Sequence, residues 1–189
     1  SPLPLTREIN MPSPFAFAAF PAWKRVFEDK SKEAQAAVYG DPGFRNAFRE
    51  DLKRPASFGN WARITVHEVK NQKLKCFEGR TVAEIAAEQG KDGVDALLDL
   101  TLADDLQAEF TMQSFNTRAD RMAELLNNRD ILLGLGDGGA HPDMLCDAGY
   151  PTYELGTWVR ERKALSLEEA VGRMTSDPAG FFGIADKRK

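Results

Sequence analysis

The sequence predicts an α/β fold with more helix than strand. Residues 131–135 are a short apolar run, long enough for a buried strand and too short for a helix, and residues 110–115 are a second strand candidate. Between them, residues 117–127 repeat their apolar positions at helical spacing. Strand, helix and strand in this order make a βαβ unit, so the two strands are predicted to be parallel neighbours.

Composition indicates a soluble domain. The chain has 189 residues, 42% of them hydrophobic, and a formal net charge of −4 with acids and bases mixed. We therefore expect no nucleic-acid surface. No apolar run reaches the length of a membrane span and residues 1–11 lack a signal-peptide pattern, so we expect no membrane partner and a cytoplasmic location. Cys76 and Cys146 lack metal-site spacing and are expected to be two buried thiols or one disulfide.

Prolines punctuate an aromatic segment near the start of the chain, with Phe15, Phe17, Phe20 and Trp23. Proline removes an amide donor and disfavours helix in the residue before it, so this segment is predicted to be extended or turning. So many aromatic rings must lie against other residues. Two interpretations stay open: a loop laid over a core, or a wall of an apolar substrate pocket.

Capping signals locate several helices. Asp41 before Pro42 predicts a helix start, and the Thr81–Glu84 and Ser166–Glu169 spacings have the form of capping boxes. On the helix after Asp41, a basic face is predicted to be solvated rather than a binding patch; its residues are Arg45, Arg49, Lys53 and Arg54.

Residues 64–69 alternate apolar and polar side chains as a peripheral strand does. Ile64, Val66 and Glu68 are predicted to share one face. His67 lies on the other face, where we expect a half-buried structural histidine more than a functional one.

A glycine-rich turn follows the predicted strand at residues 131–135. Asp137 stands among Gly136, Gly138 and Gly139, and His141 comes four residues later. Glycine lets the backbone turn sharply and approach a ligand, and the carboxyl ends of strands in α/β folds collect catalytic residues. The alternative is a plain turn whose aspartate hydrogen-bonds its own loop.

Several motifs together resemble the carboxyl-terminal part of N-acyl-D-amino-acid deacylases, in the metal-dependent amidohydrolase superfamily. The motifs are Gly79-Arg80-Thr81-Val82-Ala83-Glu84, Asp137-Gly138-Gly139-Ala140-His141, Cys146-Asp147, Trp158-Val159-Arg160, Leu165 to Val171, and Thr175 to Ala179 with Phe182-Gly183. The resemblance covers most of the chain and is strongest after about residue 131.

This resemblance implies the last part of a TIM (β/α)₈ barrel and hydrolysis of N-acyl-D-amino acids with zinc as cofactor. It implies that Asp137 lies at the metal and serves as general base and acid, since a divalent cation brings bound water near neutral pKa and a carboxylate then takes its proton. It implies substrate contacts for Gly138 and Gly139, and for His141 either a hydrogen bond to the substrate carboxylate or a role in orienting the loop.

Departures from that family limit what the chain does alone. His67 and His141 are its two histidines, and it has no His-x-His pair. We therefore expect a single-domain part of such an enzyme, with residues 1–105 an inserted, lid-like segment and residues 106–189 the last two βα units, inactive in isolation. The alternative is a non-catalytic remnant or excised domain. Either is expected to form homo-oligomers, because a partial barrel exposes strand edges and apolar faces.

Overall fold

The computed structural model describes residues 2–53, 59–134 and 147–184. Contacts divide the chain into two compact units, Arg7–Gln113 and a second unit of Ser1–Thr6 with Ser114–Lys189. The strands are β1 Leu5–Asn10, β2 Ile64–Glu68 and β3 Glu109–Phe115. The helices are α1 Lys24–Glu28, α2 Lys32–Gly40, α3 Pro42–Leu52, α4 Val82–Gln89, α5 Gly93–Ala103, α6 Ala119–Asn127, α7 Tyr150–Tyr153, a π-helix Glu154–Glu161, α8 Leu167–Met174 and α9 Ser176–Phe181.

One three-stranded sheet has the order β1-β3-β2, so β2 lies at an edge as predicted for residues 64–69. β2 and β3 are antiparallel, with Ile64 opposite Met112 and Val66 opposite Phe110. The register shifts between Val66 and Glu68. A bulge of this kind interrupts strict alternation.

The prediction of a half-buried His67 was wrong. His67 is exposed within the irregular stretch of β2, whereas Val69, predicted on the same face as His67, is fully buried. The extra residue of the bulge explains why Val66 and Val69, three positions apart, are both buried.

The prediction of a parallel strand at residues 131–135 was also wrong for the residues that the structure describes. Residues 131–134 form no strand, and residue 135 lies outside the described part. Leu133 is instead buried among helices, packed with Met122, Leu126 and Trp158. A short apolar run is compatible with either environment, because periodicity alone does not distinguish a strand from a buried connecting segment.

The aromatic segment forms the centre of the core of the unit Arg7–Gln113. Trp23 is fully buried, with its ring 4.2 Å from the ring of Phe17 and 5.1 Å from that of Phe48. Offset and edge-to-face contacts of this kind add to the free energy gained by burying the rings. The segment therefore packs into a core, in agreement with the first interpretation, a loop laid over a core, rather than a pocket wall. Phe15 is the exception in this segment, with 58% of its surface exposed.

The capping predictions are confirmed. The Asp41 carboxylate accepts from the Gly43 amide, and both capping boxes, at Thr81 and Ser166, are complete in both directions. α4 ends at Gly90 with a φ of 63°, the left-handed conformation that glycine adopts without strain.

A second core lies in the unit Ser1–Thr6 with Ser114–Lys189. Its buried members come from α6, the segment after α6, the π-helix, the connection between the π-helix and α8, and α8 itself: Met122, Leu126, Leu133, Trp158, Leu165 and Ala170. The Trp158 indole nitrogen donates to the carbonyl of Pro2 at 3.0 Å, so the buried polar atom of this large ring is satisfied.

The described residues thus confirm a helix-rich α/β structure with one small sheet. They contain no barrel, so the barrel remains a matter of proposal, as does the assignment of residues 1–105 to an insertion. Of the helices in these residues, none combines the length and the apolar character that crossing a membrane requires.

Candidate active-site region

The residues predicted to form the site lie outside the described part of the chain. Asp137, Gly138, Gly139 and His141 all belong to residues 135–146, so their roles stay predictions. The structure does describe the segment that leads into this stretch, residues 128–134, and the elements that follow it from residue 147 onwards.

Arg173 on α8 holds the segment that leads toward Asp137. Its guanidinium donates from Nη2 to the Ile131 carbonyl at 2.6 Å and from Nη1 to the Asn128 carbonyl at 3.1 Å. Arg173 is 2% exposed. The last carbonyls after a helix have no partner within the helix, and here a buried guanidinium satisfies two carbonyls just beyond α6.

A second contact joins the same elements at the surface. The Arg129 guanidinium lies 2.7 Å from the Glu169 carboxylate, and both side chains are largely exposed. Exposed ion pairs of this type stabilise by about 0–1 kcal/mol. Arg173 is therefore the main polar attachment of residues 128–131 to α8.

Glu154 is a buried carboxyl group in the same unit. It begins the π-helix, is 0% exposed, and neither of its carboxylate oxygens has a hydrogen-bond partner in the described residues. Burial raises the pKa of Glu154 from 4.5 to about 7, while the positive charge of Arg173 acts in the opposite direction. π-helical turns are rare and often occur at functional sites.

Sequence reasoning missed both Glu154 and Arg173. A signal was available for each: Glu154 is one helical turn before the buried Trp158, and Arg173 is three residues after the buried Ala170. Side chains at these spacings share a helix face, so each charged residue lies on the same face as a buried apolar residue and could have been predicted to be buried.

Metal-ligating side chains do not gather in the described part of the chain. No group of three or more His, Cys, Asp and Glu residues there is arranged to hold an ion. His67 is exposed on β2, in the unit that does not contain Asp137. Cys76 is an exposed free thiol, so the expectation that it is buried or disulfide-bonded was wrong, and Cys146 lies outside the described residues.

A cleft of about 460 Å³ lies in the unit Arg7–Gln113, beside α3 and α5. Arg45 contacts Asp95 and Asp99 at 2.8 Å, and Arg49 contacts Asp95 at 2.6 Å. The basic face was predicted to be solvated, but Arg45 and Arg49 are half-buried and ion-paired. Arg54 lies outside the described part of the chain. These charges are used in joining α3 to α5, which leaves the cleft without an unpaired arginine for a ligand.

Comparison with known proteins gives distant similarity to one deacylase. A stretch of 112 residues, 58% of the chain, is 36% identical to an N-acyl-D-glutamate deacylase of Alcaligenes xylosoxydans xylosoxydans and covers 21% of that protein. Over 178 residues, 89% of the chain, it is 25% identical to uncharacterized proteins of Mycobacterium bovis and Mycobacterium tuberculosis, covering 29% of each. The chain therefore spans less than a third of the length of these relatives. No family model and no solved structure matches it.

Proposed function

We propose that this chain is part of a metal-dependent amidohydrolase that cleaves the amide bond of N-acyl-D-amino acids. The observation that carries the proposal is the 36% identity, over 112 residues, to an N-acyl-D-glutamate deacylase. The motif Asp137-Gly138-Gly139-Ala140-His141 and the helix signals around it support the same assignment. In this proposal the complete enzyme forms a TIM barrel, to which the chain contributes its carboxyl-terminal part.

Within that enzyme, Asp137 is the proposed general base and acid. A carboxylate within hydrogen-bond distance of the attacking water accepts its proton and then delivers a proton to the leaving amine. Gly138 and Gly139 allow the backbone to approach the substrate closely. His141 is proposed to donate a hydrogen bond to the substrate carboxylate.

The residues of this chain do not fit a complete zinc site. The resemblance implies several histidine ligands, whereas the sequence has two histidines, and the described residues hold no cluster of ligating side chains. In the proposal, zinc and most of its ligands belong to the complete enzyme beyond these residues, with Asp137 beside the metal.

Hydrolysis of N-acetyl-D-glutamate tests the proposal. The 189-residue chain and the complete polypeptide that contains it are assayed with the D and L enantiomers, together with metal analysis of both preparations. We expect D-selective turnover and bound zinc in the complete polypeptide and neither in the chain alone. Asp137→Asn should lower kcat by about a hundredfold or more, while Asp177→Asn, an exposed position on α9, is the matched control. A complete polypeptide without turnover of N-acyl amino acids would refute the proposal.

The second candidate is a non-catalytic module that associates with itself. It is favoured by apolar side chains that α8, α9 and the next residues leave exposed: Leu167, Val171, Phe181, Phe182 and Ile184. Large exposed apolar groups commonly mark interfaces. Light scattering of the chain should then show a dimer or higher oligomer that Phe181→Ser with Phe182→Ser converts to monomer. A monomeric wild-type chain at high concentration would contradict this candidate.

A further inference from the structure

The described chain contains two separate hydrophobic cores. The larger core takes its buried residues from the unit Arg7–Gln113, between Ile9 and Met112 in sequence. The buried residues of the second core lie between Met122 and Ala170. Because each domain normally has one contiguous core of its own, a stretch of chain that supplies a whole core is able to fold as a domain.

Polar contacts inside Arg7–Gln113 join parts of this unit that are far apart in sequence. The Tyr39 hydroxyl donates to the Met11 carbonyl at 2.9 Å. The Asn71 amide donates to the Asp104 carboxylate at 2.6 Å. Tyr39 and Asp104 are both buried, and buried polar groups need hydrogen-bond partners. The unit therefore satisfies these two side chains with its own backbone atoms.

The chain enters and leaves this unit on neighbouring strands. Arg7 lies on β1 and Gln113 on β3, and these two strands are adjacent in the sheet, so their backbones are about 5 Å apart. Just outside the unit, the side-chain amide of Asn116 donates to the Leu3 carbonyl at 3.2 Å. Ends that lie side by side allow a domain to be inserted into another without disrupting it.

The second unit is built from two stretches of chain that Arg7–Gln113 separates. The Trp158 indole nitrogen donates to the carbonyl of Pro2, which is 156 positions earlier in the sequence. Bringing such distant stretches together costs loop-closure entropy when the chain between them is unfolded. A folded Arg7–Gln113 removes much of this cost, because its two ends already lie on adjacent strands.

We propose that Arg7–Gln113 is an independently folding domain, inserted between the two stretches that form the second unit. Its length is within the usual range for domains, about 50–250 residues. This inference goes beyond the proposed function and does not rest on it. Asp137 belongs to the second unit. In the proposed enzyme, the inserted domain is therefore an addition to the part of the chain that carries the predicted catalytic residue.

Amide hydrogen exchange of the 189-residue chain tests the independence with two matched variants. Leu97→Ala on α5 and Leu126→Ala on α6 truncate the same type of side chain at a buried helical position, one in each core. Leu126→Ala should raise exchange of the most protected amides of α6 and α8 about tenfold or more, because cooperative units open separately. The amides of α3 and α5 should stay within about twofold of wild type. Leu97→Ala should raise exchange in α3 and α5 about tenfold or more.

The outcome of Leu126→Ala decides the proposal. If that variant unfolds the second unit altogether, the amides of α3 and α5 should still be protected as in wild type. An equal rise of exchange in α5 and α6 would show one cooperative structure and overturn the proposal. If Leu97→Ala does not fold, the milder Ile85→Val in the same core takes its place.

Limited proteolysis of the same chain with subtilisin locates the ends of the domain. We expect a resistant fragment with ends close to Arg7 and Gln113, identified by mass spectrometry, since proteases cut where the chain opens most easily. Leu126→Ala should speed the cleavage of residues 114–184 and leave the lifetime of the resistant fragment unchanged. Loss of both units at one common rate would contradict an independent domain.

Discussion

Glu154→Gln should remove a pH dependence from the stability of this protein. Burial raises the pKa of Glu154 to about 7, and Arg173 offsets this only in part. In the unfolded chain the same carboxyl group titrates near its ordinary pKa of 4.5. The folded state therefore holds the proton more tightly. The resulting stabilisation is complete below about pH 4.5 and is lost as the pH rises through about 7.

The size of this effect follows from the two pKa values. One pKa unit corresponds to about 1.4 kcal/mol, so a rise from 4.5 to about 7 amounts to about 3 kcal/mol over the whole range. About 2 kcal/mol of that is lost between about pH 5.5 and about pH 8.5. Because Glu154 is 0% exposed, solvent screens the effect little.

Urea unfolding followed by circular dichroism at those two pH values measures the effect. Glutamine does not titrate, so the variant does not lose this stabilisation. The free energy of unfolding of Glu154→Gln minus that of wild type should therefore be about 2 kcal/mol larger at the higher pH than at the lower. Glu161→Gln, at the exposed end of the same π-helix, is the control. Its free energy of unfolding relative to wild type should change by less than about 0.5 kcal/mol between the two pH values. The reasoning would be refuted if the free energies of unfolding of wild type and Glu154→Gln differed by the same amount at both pH values.

Three further substitutions test the unit Arg7–Gln113 by urea unfolding. Phe48→Ala empties a fully buried ring position and should cost about 3–5 kcal/mol, whereas Phe15→Ala, more than half exposed, should cost under about 1 kcal/mol; equal costs would contradict the assigned core. Thr81→Ala removes a complete capping box and should cost about 1 kcal/mol, with Thr81→Ser close to wild type. Gly93→Ala would place its Cβ 2.3 Å from the Trp61 ring, so a cost of about 1–3 kcal/mol is expected, and a neutral effect would show that the ring moves away freely.

Helix starts were predictable because the residues that determine them are close together in the chain. The side chains of Thr81 and Ser166 each bond to a backbone amide three residues on, and the Glu at that position bonds back. The spacing alone contains the whole interaction, so no knowledge of the tertiary fold is required. Asp41 with Pro42 is equally local.

Strands were predictable only in part because pairing depends on distant residues. β2 and β3 were predicted within one residue at each end, yet their antiparallel pairing and bulge were not. β1 was not predicted as a strand, although the prolines near it predicted an extended or turning segment. Residues 131–134 carry a strand-like run, but the described chain packs Leu133 among helices. Apolar character predicted burial there without deciding backbone conformation.

The hydrogen-bond partners of Arg173 could not be predicted from the sequence, for a different reason. Arg173 bonds to carbonyls 42 and 45 residues earlier in the chain, and those acceptors are backbone atoms that every residue possesses. Glu154 is opposite in sign, but its spacing from Arg173 fits no local motif. From residue type alone, both charged side chains would be expected at the surface, because buried charges are uncommon. Both side chains are nevertheless buried, and burying charged groups carries an electrostatic cost. Arg173 offsets part of its own cost through its hydrogen bonds to the Asn128 and Ile131 carbonyls.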